Sequence, residues 1–233
     1  MEIAGARVIV TGGSLGLGKE TARQLIARQA KVVITGRDKA RLQATAAELG
    51  AHGVVADVAS DDDIERTFHE TEAAVGGLDV LINNAGIGVH RPLAELTRED
   101  FRRVFEVNVF GAAMMAKRAA EIFRAQGHGN IVNVASTSGL RGYASGSVYS
   151  ASKFAMRSMS ECWRAEMRPD NIRVIQVNPS YVPTAFGRDD RVEKPPEPGK
   201  LTPSEIAHAI VGALEMDDRG FIPELSVFAT NPF

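Results

Sequence analysis

The chain of 233 residues contains one cysteine, Cys162, which excludes an internal disulfide framework and fits a reducing compartment. Without a partner thiol, Cys162 is read as a small buried apolar residue. Net charge is nearly missing too: 27 Lys and Arg against 29 Asp and Glu leave −2 at pH 7. Bulk charge therefore points to no nucleic-acid or anionic-membrane partner. Long apolar runs are absent. The longest weakly polar stretch, "VNVFGAAMMA" from Val107 to Ala116, is too short to span a bilayer and runs straight into Lys117 and Arg118. "MEIAGARVIV" has no basic stretch leading into an apolar one, so no secretion signal is expected and the expected location is cytoplasmic. Repeats, low-complexity tracts and composition breaks are also missing, which predicts a single domain over residues 1–233.

What remains is 44% hydrophobic and 24% charged, enough apolar material for a sizeable core. Short β-branched runs recur: "RVIVTG" at Arg7, "KVVITG" at Lys31, "HGVVAD" at His52 and "LDVLINNAG" at Leu78. "GNIVNVAS" at Gly129, "NIRVIQVNP" at Asn171 and "LSVFAT" at Leu225 complete the set. Their centres are continuously apolar rather than alternating, as in strands covered on both faces. Helical segments separate them, roughly Leu17 to Arg28, Lys39 to Leu49, Asp61 to Val75, Arg98 to Ala125, Ser147 to Met167 and Ser204 to Glu215. Asp38, Ser60 and Thr97 are suited to cap three of these, and Thr97 with Asp100 has the form of a capping box. The expected fold is α/β: one doubly wound parallel sheet of about seven strands with helices on both faces. The Pro-rich, charged segment 183–203 leaves a strand end, where such sheets bind ligands, and is read as a lid over cofactor and substrate.

Three stretches carry chemistry. "VTGGSLGLGKE" joins the first strand to the first helix, and its Gly12, Gly16 and Gly18 allow a tight turn with backbone amides facing a pyrophosphate. The strict G-x-G-x-x-G spacing is absent, because Thr21 stands three residues after Gly18. "ITGRD" ends the second strand with Gly36 where an NAD-binding fold usually keeps an acid for the ribose 2′-hydroxyl. Arg37 follows, and its guanidinium suits a 2′-phosphate, with Asp38 beside it to neutralise it in part. "VYSASK" sets Tyr149 and Lys153 one helical turn apart. An ammonium about 4 Å from a phenol is worth roughly 4 kcal/mol at an effective dielectric of ~20. That would lower a phenol pKa of ~10 by about three units, toward neutrality. Such a phenol is an acid or base for a carbonyl–alcohol interconversion. Asn108, within the apolar "EVNVFG", needs hydrogen bonds if buried.

"TGGSLGLG" (Thr11 to Gly18), "NNAG" (Asn83 to Gly86), "VYSASK" and "NPSYVPT" together resemble the motifs of the short-chain dehydrogenase/reductase family, over most of the chain. The resemblance implies a catalytic set of Asn108, Ser136, Tyr149 and Lys153. In it Tyr149 is the acid/base, Ser136 holds the substrate carbonyl, Lys153 also holds the nicotinamide ribose, and Asn108 joins a proton relay through water. It implies cofactor contacts from Gly12, Ser14 and Leu17 to the phosphates, and from Asp57 and Val58 to the adenine. Asn84, Ala85 and Gly86 would face the ribose side, and Val182 and Thr184 the carboxamide. Ser180 departs from the family's usual glycine. Ser138 is a rival to Ser136, better suited to turn formation before Gly139. Tyr143 is read as a substrate contact, His90 and Arg91 as surface residues, and Met114 and Met115 as core or interface.

The resulting expectation is an NADP(H)-dependent oxidoreductase acting on a small-molecule ketone, aldehyde or alcohol, assembled as a homodimer or homotetramer, with no metal assigned. The alternatives are a 3-oxoacyl thioester (carrier protein) reductase and, from another class, a non-catalytic dinucleotide-sensing protein. Asn130 and Asp170 weigh against the first, standing where carrier-protein-acting relatives tend to be basic. The intact tetrad weighs against the second.

Overall fold

Apolar side chains on both faces of each central strand dictate a sheet sandwiched between helices, and a computed structural model, which describes residues 1–187 and 191–231, has that architecture. Residues 188–190 of the expected lid lie outside the described residues. The strands are β1 (Arg7–Val10), β2 (Lys31–Gly36), β3 (His52–Val55), β4 (Val80–Asn83), β5 (Gly129–Val134), β6 (Ile172–Pro179) and β7 (Glu224–Val227). All pair in parallel, in the order β3-β2-β1-β4-β5-β6-β7.

The helices are α1 (Gly16–Ala27), α2 (Lys39–Leu49), α3 (Asp61–Val75), α4 (Arg98–Phe105), α5 (Ala112–Gln126), α6 (Ser147–Met167) and α7 (Pro203–Glu215). Strand alternation divides the core. Val8, Val10, Ile34, Val132 and Val177 pack with Leu25 and Leu42 and with Ile206 and Ile210 on one face. Ile9, Val33, Leu81, Ile131 and Val174 pack with Phe68, Met115 and Phe123 on the other. The sheet reverses direction of growth between β1 and β4, which opens a crevice at their C-terminal ends.

The expected caps form. Asp38 accepts from Arg41 N, Ser60 from Asp63 N, and Thr97 with Asp100 closes a full capping box. The expected helix from Arg98 to Ala125 contains a π-helical stretch, Glu106–Gly111, between α4 and α5. Asn108 lies in it, and such stretches are concentrated at functional sites. Cys162 is exposed rather than buried. It stands two residues, more than half a helical turn, from buried Ser160, so α6 turns it away from the core. Of the methionine pair, Met115 is core and Met114 is exposed. Among the described residues no helix is long and apolar enough to cross a membrane.

Candidate active site

A cavity of about 1040 Å³ opens along the C-terminal ends of β1, β4, β5 and β6. Every site residue singled out from the sequence borders it except Gly18 and Asn108. So do all three tyrosines of the chain, Tyr143, Tyr149 and Tyr181.

At the β1 end the wall is mostly backbone. A methyl group on Gly18 would stand 2.5 Å from Gly12 O and would also strike the Asn84 amide, so only glycine fits. Asn84 Nδ2 donates to Thr11 O at 2.9 Å and Gly12 O at 3.2 Å. Thr11 Oγ1 accepts from Asn84 N at 3.0 Å and Ala85 N at 2.9 Å. The two motifs are therefore stapled together, with Asn84 holding the glycine turn. Gly16 N, at the start of α1, donates to the Glu193 carboxylate at 2.7 Å. That amide thus faces an anion, and a phosphate seated there would take the place of Glu193. Thr184 lies over the same turn, 3.6 Å from where a Gly16 Cβ would be.

Farther along, Arg37 is more than half exposed and pairs with Asp57 at 3.5 Å. Asp38 caps α2 as expected, but its ion pair is with Arg41 at 3.1 Å rather than with Arg37. Arg41, unremarked in the sequence, also borders the cavity one helical turn beyond Arg37. A second guanidinium at that spacing was the available signal. Asp57 Oδ1 accepts from Ala59 N, and Val58 is buried beside it. Ser180 has none of the positive φ that would require glycine, and its amide bonds Val227 O at 2.9 Å, so the serine leaves the backbone course unstrained.

At the β5 end the wall is made of side chains. Ser136 follows β5, its Oγ accepts from Ser138 N at 3.1 Å, and it borders the cavity beside Tyr149. Ser138 also borders the cavity, and its carbonyl accepts the Ser150 hydroxyl at 2.6 Å. Lys153 is buried, and its Nζ donates to Val134 O at 2.9 Å while lying 5.7 Å from the Tyr149 ring centroid. The expected lowering of the Tyr149 pKa is not met by these groups. Burial pushes the phenol up to about 12, against the lowering influence of Ser136. Burial also brings Lys153 down to about 8. The ammonium is turned to a carbonyl, and the phenol is flanked by the rings of His90 at 5.6 Å and Phe186 at 5.5 Å.

Asn108 stands behind this wall. Its Oδ1 accepts from Ile87 N at 2.9 Å, and its Nδ2 donates to Ile87 O at 2.9 Å and Ser152 Oγ at 3.0 Å. Its side chain is thus engaged by the loop that follows "NNAG" and by Ser152 on α6. His90 is exposed, as expected, and it also borders the cavity, meeting the Tyr143 hydroxyl at 3.0 Å. Arg91 is exposed as expected, 3.9 Å from Asp100. Also unforeseen is a buried chain beneath the floor, in which Asn83 donates to Asn133 and Asn133 to Ser160.

A parallel sheet with a glycine turn at its switch point and a Ser–Tyr–Lys wall beyond it defines a dinucleotide-dependent oxidoreductase architecture. Residues 6–195 match the family described as short chain dehydrogenase, and the chain belongs to that family. It is 33% identical over 219 residues to the ketoacyl reductase HetN of Nostoc sp., covering 91% of this chain and 76% of that one. The alcohol dehydrogenase of the archaeon Thermococcus sibiricus, solved with 5-hydroxy-NADP, superposes with a TM-score of 0.87 at 29% identity, covering 96% of each chain. The 3-ketoacyl-(acyl-carrier-protein) reductase of Brucella melitensis, solved with NADH, gives 0.88 at 27% identity, covering 99% of this chain and 100% of that one. This family binds a nicotinamide dinucleotide and acts on CH–OH and C=O groups.

Proposed function

We propose that the protein is an NADP(H)-dependent oxidoreductase interconverting a ketone or aldehyde and its alcohol, with Tyr149 as general acid/base. The observation that carries this reading is that Tyr149, Ser136 and buried Lys153 line one end of a cavity whose other end is the glycine turn. NADP(H), when bound, supplies or accepts the hydride. Ser136 holds the carbonyl oxygen and Tyr149 gives its proton to the alkoxide that develops there. A phenol pushed up to about 12 remains protonated at neutral pH, so reduction meets a loaded acid. Lys153 holds the ribose next to the nicotinamide, and its charge together with the cofactor's favours the phenolate in the oxidising direction.

Gly12, Ser14 and Leu17 would take the pyrophosphate, Asp57 and Val58 the adenine, and Asn84, Ala85 and Gly86 the ribose side. Val182 and Thr184 would meet the carboxamide. Arg37, joined by Arg41, would take the 2′-phosphate, which supports NADP(H) over NAD(H). Residues 1–233 act as one cytoplasmic domain with 183–203 as its lid; Arg191 and Lys194 from that segment border the cavity. Half-exposed Phe110 and partly exposed Met114 and Phe154, on the outer helices, support a homodimer or homotetramer. A monomeric mass by light scattering at micromolar concentration would reject that assembly.

A 3-oxoacyl thioester reductase is the second reading, favoured by the resemblance to two ketoacyl reductases. Against it, Asn130 is buried beneath Arg173, and Asp170 is paired with Arg124. NADPH consumption against ketones, aldehydes, quinones and 3-oxoacyl thioesters separates the two. NADPH binding without turnover on any of them would leave a dinucleotide sensor instead.

A further inference from the structure

Asp38, Ser60, Thr97 and Thr202 each close the N-terminus of the helix that follows, α2, α3, α4 and α7. α1 begins differently. Leu15 stands at its N-cap and makes no side-chain bond to an amide, and its first turn holds no acidic residue. The same turn lines the cavity through Gly12, Ser14 and Gly16. Two demands conflict there. A dinucleotide needs these amides open, whereas an unliganded helix end is more stable with an acceptor on it.

The acceptor arrives from 177 residues away: Glu193 Oε1 takes the Gly16 amide at 2.7 Å. Glu193 belongs to the segment between Ala185 and Leu201, both of them buried. Thr184 lies over the glycine turn before that segment, and Thr202 caps α7 after it. Residues 192–196 are exposed, so burial does little to fix that part of the chain, and a charge-assisted hydrogen bond weighs heavily on where it rests. Arg191 and Lys194, which flank the glutamate, border the cavity with charges that suit a phosphate. A carboxylate is the wrong charge to keep beside a pyrophosphate, and the two cannot share one amide.

Resting on the dinucleotide reading above, we infer that Glu193 is a removable cap: its carboxylate closes the empty pyrophosphate cradle and leaves before the cofactor can seat. The bond stabilises the unliganded protein and opposes cofactor binding by the same amount, since only the form with the cap withdrawn binds. Glu193 is exposed, so water competes with it and the effect is severalfold rather than large.

The test is Glu193→Ala, with Glu197→Ala removing the same charge four residues farther on as the control. Fluorescence titration of Glu193→Ala with NADPH gives a Kd about two- to fivefold below wild type, the range of a charge at an exposed helix N-terminus. NADH shifts by the same factor, because it carries the same pyrophosphate. Without cofactor, calorimetry gives a Tm about 1–3 °C lower than wild type. At saturating cofactor the two Tm values coincide, because the liganded protein has no cap to lose. Glu197→Ala leaves both Kd and Tm at wild-type values. Unchanged or weaker cofactor binding in Glu193→Ala would overturn the inference, as would a Tm difference that persists at saturation. Equal tightening in Glu197→Ala would reduce the effect to bulk charge and overturn it too. A wild type that binds neither NADPH nor NADH removes the dinucleotide reading, and the inference with it.

Discussion

The end of the cavity under β1 and β4 is made of backbone and of missing side chains, whereas the end under β5 and α6 is made of side chains from distant loops. Gly12, Gly16 and Gly18 present amides, and Thr11 with Asn84 merely staples that backbone in place. Across the cavity, Ser136, Tyr149, Lys153, His90, Tyr143 and Phe186 come from four separate segments. The first arrangement suits a ligand shared by many enzymes, because amides recognise phosphate wherever it occurs. The second can differ from one enzyme to the next, because it is made of side chains. Charge follows the same division. The glycine-turn end offers neutral amides, while the side-chain end contains a buried phenol and a buried amine that burial has shifted in opposite directions.

The sharpest break in that comparison comes from Tyr149→Phe. Carbonyl reduction should fall by ~10²–10⁴-fold, the usual contribution of a general acid. NADPH affinity, measured by fluorescence titration, should stay close to wild type because the backbone end is untouched. A loss of affinity matching the loss of turnover would mean that the two ends are not independent. Gly18→Val should give the opposite pattern, with NADPH binding reduced by about a hundredfold or more. The added side chain collides with Gly12 O and the Asn84 amide, which are backbone or stapled to it. Normal affinity in a folded Gly18→Val protein would refute the cradle.

A smaller effect separates the two nicotinamide cofactors. Arg37→Ala should reduce kcat/KM for NADPH by about 10- to 100-fold, as expected for losing charge-assisted hydrogen bonds to a phosphate. NADH should be little affected, and Gly36→Asp added to it should make NADH the better substrate. Equal efficiency with both cofactors in the wild type would remove the assignment.

The smallest effect is on stability. Lys153 is charged when unfolded up to its ordinary 10.5 but only up to about 8 when folded. The unfolded chain therefore binds more protons between those values, so this group makes stability rise with pH through about 8 to 10.5. Below that window its full penalty applies, at most about 3 kcal/mol at ~1.36 kcal/mol per pH unit. Lys153→Met should thus abolish activity yet raise Tm at pH 7 by a few °C, at roughly 2–4 °C per kcal/mol for this size. A lower Tm in calorimetry would show that the bond to Val134 O outweighs the buried charge.

Strand positions, helix caps and the parallel order were legible because each depends on local pattern: continuous apolar runs, capping residues, and glycine before a helix. The π-helical stretch was not, since "EVNVFG" reads as ordinary helix until Asn108 has found the Ile87 backbone and Ser152. Cys162 was misjudged because composition says nothing about helix phase. The sequence alone determined the sheet, its crevice, and the residue types proposed to meet a dinucleotide and a carbonyl, because those depend on short motifs whose spacing is rigid. Only the tertiary structure decided that Asp57 rather than Asp38 faces Arg37, and that Lys153 turns to Val134. It also decided that His90, from a loop after β4, reaches Tyr143 before α6. Those contacts join residues tens of positions apart, and nothing local to either partner encodes where the other will be.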